Sequence, residues 1–268
     1  MRRHNQTSRD LAAGQLASGA FFFACRSCEY LKVPKGEERQ TKLLCLDNVQ
    51  FRRRHALLSH SNNLLAFADT VTICFENQKN GEKFEEITQH KTGDPMFCPV
   101  LIWASIIQRV RSYPGTNGKT PVCTYLENGV LKQLTSQVMN VLLKATVAAI
   151  GIDKLGFGPD DIGTHSIRAG SAMAMYLDGV PVFTIMLMGR WSSDAFLKYI
   201  RRQVEQFSHN VAARMIKNQH FYHIPAFLPT VSAEDQRQHN HPANFATRQN
   251  LGRNLTSQAR MASFALFT

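Results

Sequence analysis

The chain has 268 residues, enough to bury a sizeable core, and its hydrophobic fraction of 44% is typical of a globular protein rather than a disordered or fibrous one. Lysine and arginine outnumber aspartate and glutamate by 31 to 20, so the formal net charge is +11. This excess favours a polyanionic partner, with nucleic acid ahead of an anionic membrane surface. The polar N-terminus lacks the apolar run of a signal peptide, and the longest apolar run, 180–188, is too short to span a bilayer. We therefore expect a protein that is neither secreted nor embedded in a membrane.

The first half of the chain is predicted to form one helix and a small antiparallel sheet. Helix formers and apolar spacing predict a helix from Asp10 to about Val33. Strand-like segments rich in β-branched and aromatic residues follow at 43–51, 64–76 and 84–91. Asn80-Gly81 stands between the last two segments and is the strongest short signal for a hairpin. The sheet is therefore expected to contain this hairpin.

The second half of the chain is predicted to be mainly helical. Amphipathic spacing, with glycine at the ends of several segments, predicts helices at 98–113, 131–151, 166–179, 180–189 and 193–203. From residue 221 the chain is rich in Gln, Asn, His and Arg with little periodicity, which predicts a loosely ordered tail. The expected fold class is α+β, mainly α, with a small antiparallel sheet packed against a helical body.

The six cysteines stand mostly in apolar segments, which predicts reduced, buried thiols of an intracellular protein. Cys25 and Cys28 form a C-x-x-C pair. Two cysteines supply only half of the four ligands of a structural zinc site, so this pair alone does not predict one. We therefore expect no metal and no cofactor.

Four separated segments carry side chains suited to phosphodiester chemistry. They supply Arg26 in ACRSCEYL, Lys79 before the hairpin turn, His165 and Arg168 in THSIRAGS, and Trp191 and Tyr199 in GRWSSDAFLKYIR. A tyrosine hydroxyl can attack phosphorus and keep the bond energy as a phosphotyrosine, so no nucleotide cofactor is needed. Arginines can neutralise the non-bridging oxygens, a histidine can act as donor or general base, and a hairpin lysine can protonate the leaving 5′ oxygen. His165 and Arg168 are three residues apart at a predicted helix start, so both can face one phosphate.

These segments together resemble the catalytic domain of the tyrosine recombinases, the phage-integrase family. THSIRAG, GRWSSDAFLKYIR and HKTGDPMFCPV look most like the crypton and DIRS-type recombinases of eukaryotic mobile elements. The resemblance runs from about Arg9 to Met215. The motifs of the family are matched by Arg26 with Glu29 (roughly R-x-S-E-L), by His165 with Arg168 (H-x-x-R), and by Tyr199 at the nucleophile position. The resemblance implies the tyrosine-recombinase catalytic-domain fold at 9–220, between a basic extension at 1–8 and the polar tail at 221–268.

The third motif of the family, a histidine or tryptophan about nine residues before the nucleophile, leaves two candidates. Arg190 has the expected spacing from Tyr199, whereas Trp191, eight residues before it, has the expected residue type. We favour Trp191, because an indole N–H can donate to the phosphate while the ring packs against the helix of the nucleophile. In addition, Ala169 follows Arg168 where bacterial members of the family often have histidine.

The family lysine also has more than one candidate here. Lys79 is preferred because it immediately precedes the predicted turn, and Lys83 and Lys91 compete with it. The segment VEQFSHNVAARMI after the tyrosine is expected either to dock on a neighbouring copy or to pack on its own domain.

The resemblance implies a site-specific recombinase or integrase that cleaves and rejoins double-stranded DNA through a 3′-phosphotyrosine. It also implies a homo-oligomer, a tetramer on two DNA sites. A nuclear location is expected if the source is a eukaryotic mobile element, and a cytoplasmic one otherwise. The resemblance begins at Arg9 and does not include the separate N-terminal helical domain of the family, so a fragment or a reduced copy is expected. The alternative is a catalytically inactive DNA-binding module derived from such a recombinase.

Overall fold

A computed structural model of the chain describes residues 7–33, 41–77 and 84–191. Helical residues make up about 48% of this part, and the strands include a small antiparallel sheet. The predicted α+β class with a small antiparallel sheet is therefore confirmed. The predicted helix at 193–203, the segment VEQFSHNVAARMI and the tail from residue 221 lie outside the described residues.

The helices of the described part agree with three of the predicted ones in position. Their bounds are α1 Ser8–Phe22, α2 Ser27–Tyr30, α3 Pro99–Arg111, α4 Ser136–Ile150, α5 Ile152–Leu155, α6 Thr164–Leu177 and α7 Val182–Gly189. The predictions at 98–113, 166–179 and 180–189 correspond to α3, α6 and α7 within about two residues at most ends, the usual scatter of helix boundaries. Amphipathic spacing bounded by proline or glycine was thus a sufficient signal for these three.

The prediction of one continuous helix from Asp10 to Val33 is wrong. α1 ends at Phe22, and Ala24 then adopts a positive φ of 44°. The chain resumes as α2 with Arg26 as its N-cap residue, in an extended conformation. The backbone N–H of Arg26 donates to Glu29 Oε2 at 2.7 Å, so a side chain satisfies a donor that a continuous helix would have paired internally. Arg26 therefore lies in a break between two helices and not within one.

The main sheet is antiparallel, with strand order β2-β1-β3-β4. The strands are β1 Val49–Arg53, β2 Ala56–Leu58, β3 Thr70–Phe75 and β4 Glu85–His90. β3 and β4 pair from Thr70–His90 to Phe75–Glu85, which confirms the predicted pairing of these two segments. The connection between them, with Lys79, Asn80-Gly81 and Lys83, lies outside the described residues.

A second hairpin replaces the start of the helix that was predicted at 131–151. β5 (Thr124–Glu127) pairs with β6 (Val130–Gln133) through Asn128-Gly129, where φ is 51° and 76°. α4 begins only after Thr135, whose hydroxyl accepts a hydrogen bond from the N–H of Val138. The helix-forming residues of the β6 segment are held in a strand by their pairing partners, so the prediction is wrong for 131–135.

The core lies where α1 packs against α3, α6 and β5, while α3 also covers β3 and β4. Trp103 is fully buried there, and its Nε1 donates to the carbonyl of Gly19 at 3.3 Å. Alanine and glycine on the buried face of α1 allow the neighbouring helices to approach closely. This packing brings the break after α1 next to the end of α7. Within the described residues, no helix combines the length and the apolar character needed to cross a bilayer.

Candidate functional site

Two short backbone segments, residues 23–26 after α1 and residues 188–191 at the end of α7, meet at the candidate site. Arg168 from α6 joins them, because its Nη1 donates to the carbonyl of Ala24 and its Nη2 donates to the carbonyl of Gly189. The Arg168 residue is only 6% exposed. A guanidinium can hold two acceptors in this way because its donors form a rigid planar fork.

Arg26 is tied to the same two segments. Its Nη1 donates to Glu29 Oε1 at 3.0 Å, and its Nη2 donates to the carbonyl of Arg190 at 3.0 Å. The Arg26 side chain keeps 20% of its surface exposed, whereas Glu29 keeps 1%. Arg26 therefore reaches the site from the break between α1 and α2 and retains access to solvent.

Trp191 is the third predicted residue at this site. The Cζ atom of Arg168 lies 4.1 Å from the centroid of the Trp191 ring, a distance typical of a cation–π contact. The ring occupies the space that a Cβ atom on Gly189 would need. The structure thus brings Arg26, Arg168 and Trp191 together at one turn.

His165 lies in the first turn of α6, one helical turn before Arg168, and its side chain is exposed. The N–H of Thr164 at this helix start donates to Asn140 Oδ1 at 2.7 Å, and the N–H of Gly163 donates to Ser166 Oγ at 3.1 Å. Two of the backbone donors expected to face an anion are therefore already paired with side chains. Of the two predicted residues on this helix turn, His165 is exposed with its ring beside Gly163, whereas Arg168 is buried in the contacts described above.

Lys79 and Tyr199 lie outside the described residues, and so does Lys83. Lys91, the remaining lysine candidate, pairs with Asp69 Oδ1 at 3.0 Å beyond the last residue of β4. Phe75, at the opposite end of the sheet, has its ring 3.6 Å from the Cζ of Arg190. The length of the strand, about 17 Å at roughly 3.3 Å per residue, separates Lys91 from the site. Lys91 is therefore not placed to act there.

Arg190 faces the interior, which the sequence did not reveal. Its residue exposure is 2%, and its Nη2 donates to Glu29 Oε2 at 2.7 Å. Its Nη1 donates to the carbonyl of Phe23 at 3.0 Å. The R-x-x-E spacing of Arg26 and Glu29 was the only sequence signal for this buried carboxylate, and it gave no hint of Arg190 as a second partner.

The guanidinium groups of Arg26, Arg168 and Arg190 with the carboxylate of Glu29 form what we call the arginine cluster. Within the cluster, three guanidinium groups face one carboxylate, so positive charge exceeds negative charge there. Burial, together with Arg26 and Arg190, lowers the pKa of Arg168 to about 9. Because this pKa is lower in the folded chain than in the unfolded chain, burying the charge destabilises the fold by its full amount below about pH 9. The destabilisation declines as the pH rises above about 9. An oxyanion at the cluster would offset this excess of positive charge.

The C-x-x-C pair has a different environment from that of a metal site. Burial, with the nearby Glu29 carboxylate, raises the pKa of the Cys25 thiol to about 12. Cys28 is half-buried, and both thiols are free. Over residues 7–33, 41–77 and 84–191, no group of three or more His, Cys, Asp or Glu side chains is arranged to hold a metal ion.

Comparison of the chain with protein-family models, with curated proteins and with solved structures finds no match. The chemistry of the arginine cluster and the sequence motifs that supply its residues are therefore the grounds for assigning a function.

Replacing Gly189 with alanine is expected to push the Trp191 ring off Arg168, because the new Cβ would overlap the ring. We expect the free energy of unfolding to fall by about 1–3 kcal/mol, as for other overpacked sites. Acrylamide quenching of tryptophan fluorescence should rise, since Trp103, the other tryptophan, is fully buried.

Gly14→Ala is the matched control for this change. Gly14 lies within α1 and an added Cβ would meet no atom within 4 Å, so the higher helix propensity of alanine should stabilise the fold by about 0.5–1 kcal/mol. Equal behaviour of the two variants in fluorescence and stability would contradict the placement of the Trp191 ring over Gly189.

Proposed function

We propose that this chain is the catalytic domain of a site-specific tyrosine recombinase, with the catalytic-domain fold of that family. The single observation that carries the proposal is the meeting of Arg26, Arg168 and Trp191 at one turn, from three segments far apart in the sequence. The same three residues match the family motifs, and tertiary contact between motif residues is what a shared phosphate site requires.

The excess positive charge of the arginine cluster supports an anionic substrate. A scissile phosphate carries one negative charge, and more charge develops on its oxygens in the transition state of phosphoryl transfer. Glu29 and backbone carbonyls already hold the arginines in position before a substrate binds. Such preorganised arginines can stabilise the developing charge without rearranging. The formal charge of +11 would add sequence-independent attraction to DNA, so binding should weaken steeply with salt.

In the proposed mechanism the hydroxyl of Tyr199 attacks the scissile phosphorus while His165 accepts its proton. Arg26 and Arg168 bind the non-bridging oxygens, with Trp191 as a further donor. The bond from phosphorus to the 5′ oxygen breaks, and a bond from phosphorus to the tyrosine oxygen forms. Lys79 donates a proton to the leaving 5′ oxygen, which becomes a free hydroxyl. Attack by a 5′ hydroxyl from a partner strand reverses these steps and joins the new strand, within a tetramer by analogy with the family.

A catalytically inactive DNA-binding module is the second candidate function. One observation favours it: the guanidinium N–H groups of Arg168 donate to two backbone carbonyls, and those of Arg26 donate to Glu29 and a carbonyl. Arginines held in this way can attract the DNA backbone without performing cleavage. The two candidates differ only in whether a covalent bond to DNA forms.

The deciding experiment uses supercoiled plasmid and the Tyr199→Phe variant. We expect the wild-type protein to relax the plasmid and to form a covalent adduct with DNA that survives denaturation. Tyr199→Phe should form no adduct, since phenylalanine has no nucleophile, and should keep its DNA affinity within about threefold, because backbone contacts provide most of that affinity.

Tyr176→Phe is the matched control, because Tyr176 is a half-buried residue of α6 outside the arginine cluster. It should relax the plasmid as the wild type does. Equal relaxation by Tyr199→Phe would refute the mechanism. DNA binding by the wild type without any adduct would establish the inactive module instead.

A further inference from the structure

We propose that Arg190 is a positioning residue, which holds Arg26 in place through Glu29 and does not contact the phosphate itself. This inference rests on the proposed function and deepens it. It also resolves the choice in the third motif, because it leaves Trp191 as the residue at that motif that faces the phosphate.

The contacts of Arg190 form a closed loop with Arg26. The Arg190 side chain donates to Glu29 Oε2 at 2.7 Å, and Glu29 Oε1 accepts from Arg26 Nη1 at 3.0 Å. Arg26 Nη2 then donates to the backbone carbonyl of Arg190 at 3.0 Å. Both the side chain and the main chain of Arg190 thus act on the guanidinium of Arg26.

The burial of Arg190 argues against direct contact with DNA. Its side chain is 0% exposed, whereas that of Arg26 is 20% exposed. One face of its guanidinium lies 3.6 Å from the ring centre of Phe75, and its Nη1 donates to the carbonyl of Phe23. The guanidinium is therefore enclosed by protein, and a phosphate at the exposed side of Arg26 would be out of its reach.

The backbone of Arg190 supports the same role. Arg190 is the C-cap residue of α7 and has the left-handed conformation, with φ of 56° and ψ of 46°. This conformation is unfavourable for residues with a Cβ, and glycine usually occupies such a position. It turns the chain after α7 so that Trp191 lies on Arg168, while the side chain turns inward to Glu29. An arginine in a glycine-favouring position indicates that its side chain is needed there.

The test is a double-variant cycle on the covalent-adduct assay, with rates measured in single turnover on DNA that the wild type cleaves. Arg190→Gln should slow adduct formation about 100-fold, because misplacing a catalytic group by about 1 Å costs that much. The Kd for DNA should stay within about threefold, because the buried side chain is not expected to contact the DNA phosphates. The double variant Arg190→Gln with Arg26→Gln should be no slower than Arg26→Gln alone, since Arg190 acts only through Arg26.

Two further variants separate positioning from general stability. Arg190→Lys keeps the charge beside Glu29 and should recover part of the lost rate. Arg109→Gln removes a half-buried arginine that donates to Gln15 and to the carbonyl of Thr124, away from the cluster. It should lower the melting temperature as Arg190→Gln does and leave the rate of adduct formation unchanged.

The outcomes distinguish this inference from the proposed function. If the wild type forms the adduct and Arg190→Gln matches its rate, or if the effects of the two substitutions multiply, the positioning role is overturned and the proposed function stands. If the wild type forms no adduct, the proposed function fails. The link from Arg190 to Arg26 is then judged by melting temperature alone: losses that simply add in the double variant overturn it, and losses that do not add support it.

Discussion

Replacing Glu29 with glutamine is expected to lower the free energy of unfolding by about 3–5 kcal/mol, the usual cost of breaking a buried ion pair. Glu29 is 1% exposed, and its carboxylate accepts two hydrogen bonds from Arg26 and one from Arg190. The amide NH2 of glutamine would face one N–H donor if it replaced Oε1 and two if it replaced Oε2. Arg190 would also remain buried beside Arg26 and Arg168 with no carboxylate of the cluster to offset the charge.

Thermal and urea unfolding measure this loss, and Glu127→Gln is the matched control. Glu127 accepts a hydrogen bond from Lys132 Nζ at 2.6 Å, but this pair lies at the surface, with 49% of the lysine side chain exposed. Exposed ion pairs contribute little to the free energy of unfolding, so the melting temperature of Glu127→Gln should stay within about 2 °C of the wild type. If Glu29→Gln were as stable as this control, Glu29 would not be the residue that holds the arginines.

Local sequence signals were sufficient to predict secondary structure where the conformation of a segment depends mainly on its own residues. The turn signal of Asn80-Gly81 and the β-branched and aromatic residues on both sides of it predicted the pairing of β3 with β4. Apolar spacing ended by glycine or proline predicted α3, α6 and α7. In these segments the pattern that buries the side chains is the same pattern that selects the backbone conformation, so the sequence alone was informative.

Tertiary contacts overrode local signals where the predictions failed. The helix from Asp10 to Val33 breaks because Phe23 and Cys25 are fully buried and Glu29 caps the next turn, and neither fact follows from helix propensity. The residues at 131–133 form a strand because β5 supplies their hydrogen-bond partners. Pairing across a hairpin outweighs propensities of a few tenths of a kcal/mol per residue.

In the candidate site, too, the sequence predicted some residues correctly and could not reveal what depends on tertiary contacts. Motif spacing was enough to select Arg26 and Arg168, and residue type selected Trp191 against the spacing. The structure brings these three residues into one place. It could not reveal that Arg190 points inward, since its partner Glu29 lies 161 residues earlier in the chain. Nor could it show that Lys91 stands at the far end of β4, because that depends on the register of the sheet.

Arg168→Lys is expected to reduce adduct formation about 1000-fold or more, beyond the 100-fold typical of losing one donor to a developing charge. A lysine has a single nitrogen, so it cannot donate to the carbonyls of Ala24 and Gly189 with the planar fork of an arginine. It also offers no flat cation to the Trp191 ring and binds a phosphate as a point charge rather than through two parallel hydrogen bonds.

The same substitution should also change stability and pH dependence. One buried carbonyl loses its partner, which costs about 1–3 kcal/mol of unfolding free energy. The environment lowers the pKa of Arg168 to about 9, so the wild type stays charged at neutral pH. A lysine starts from a lower pKa, and the same burial and neighbouring arginines would lower it further. The residual activity of Arg168→Lys should therefore fall as the pH rises through neutrality, while that of the wild type should not lose this charge before about pH 9.

Arg109→Lys separates the effect on catalysis from the effect on stability. Arg109 is half-buried and, like Arg168, holds two backbone carbonyls, those of Thr124 and Val122. Its replacement should lower the melting temperature by a similar amount and leave the rate of adduct formation and its pH profile unchanged. If Arg168→Lys kept the wild-type rate at every pH, the cluster would be a structural clamp between α1 and α7, and the phosphate site would have to lie elsewhere on the molecule.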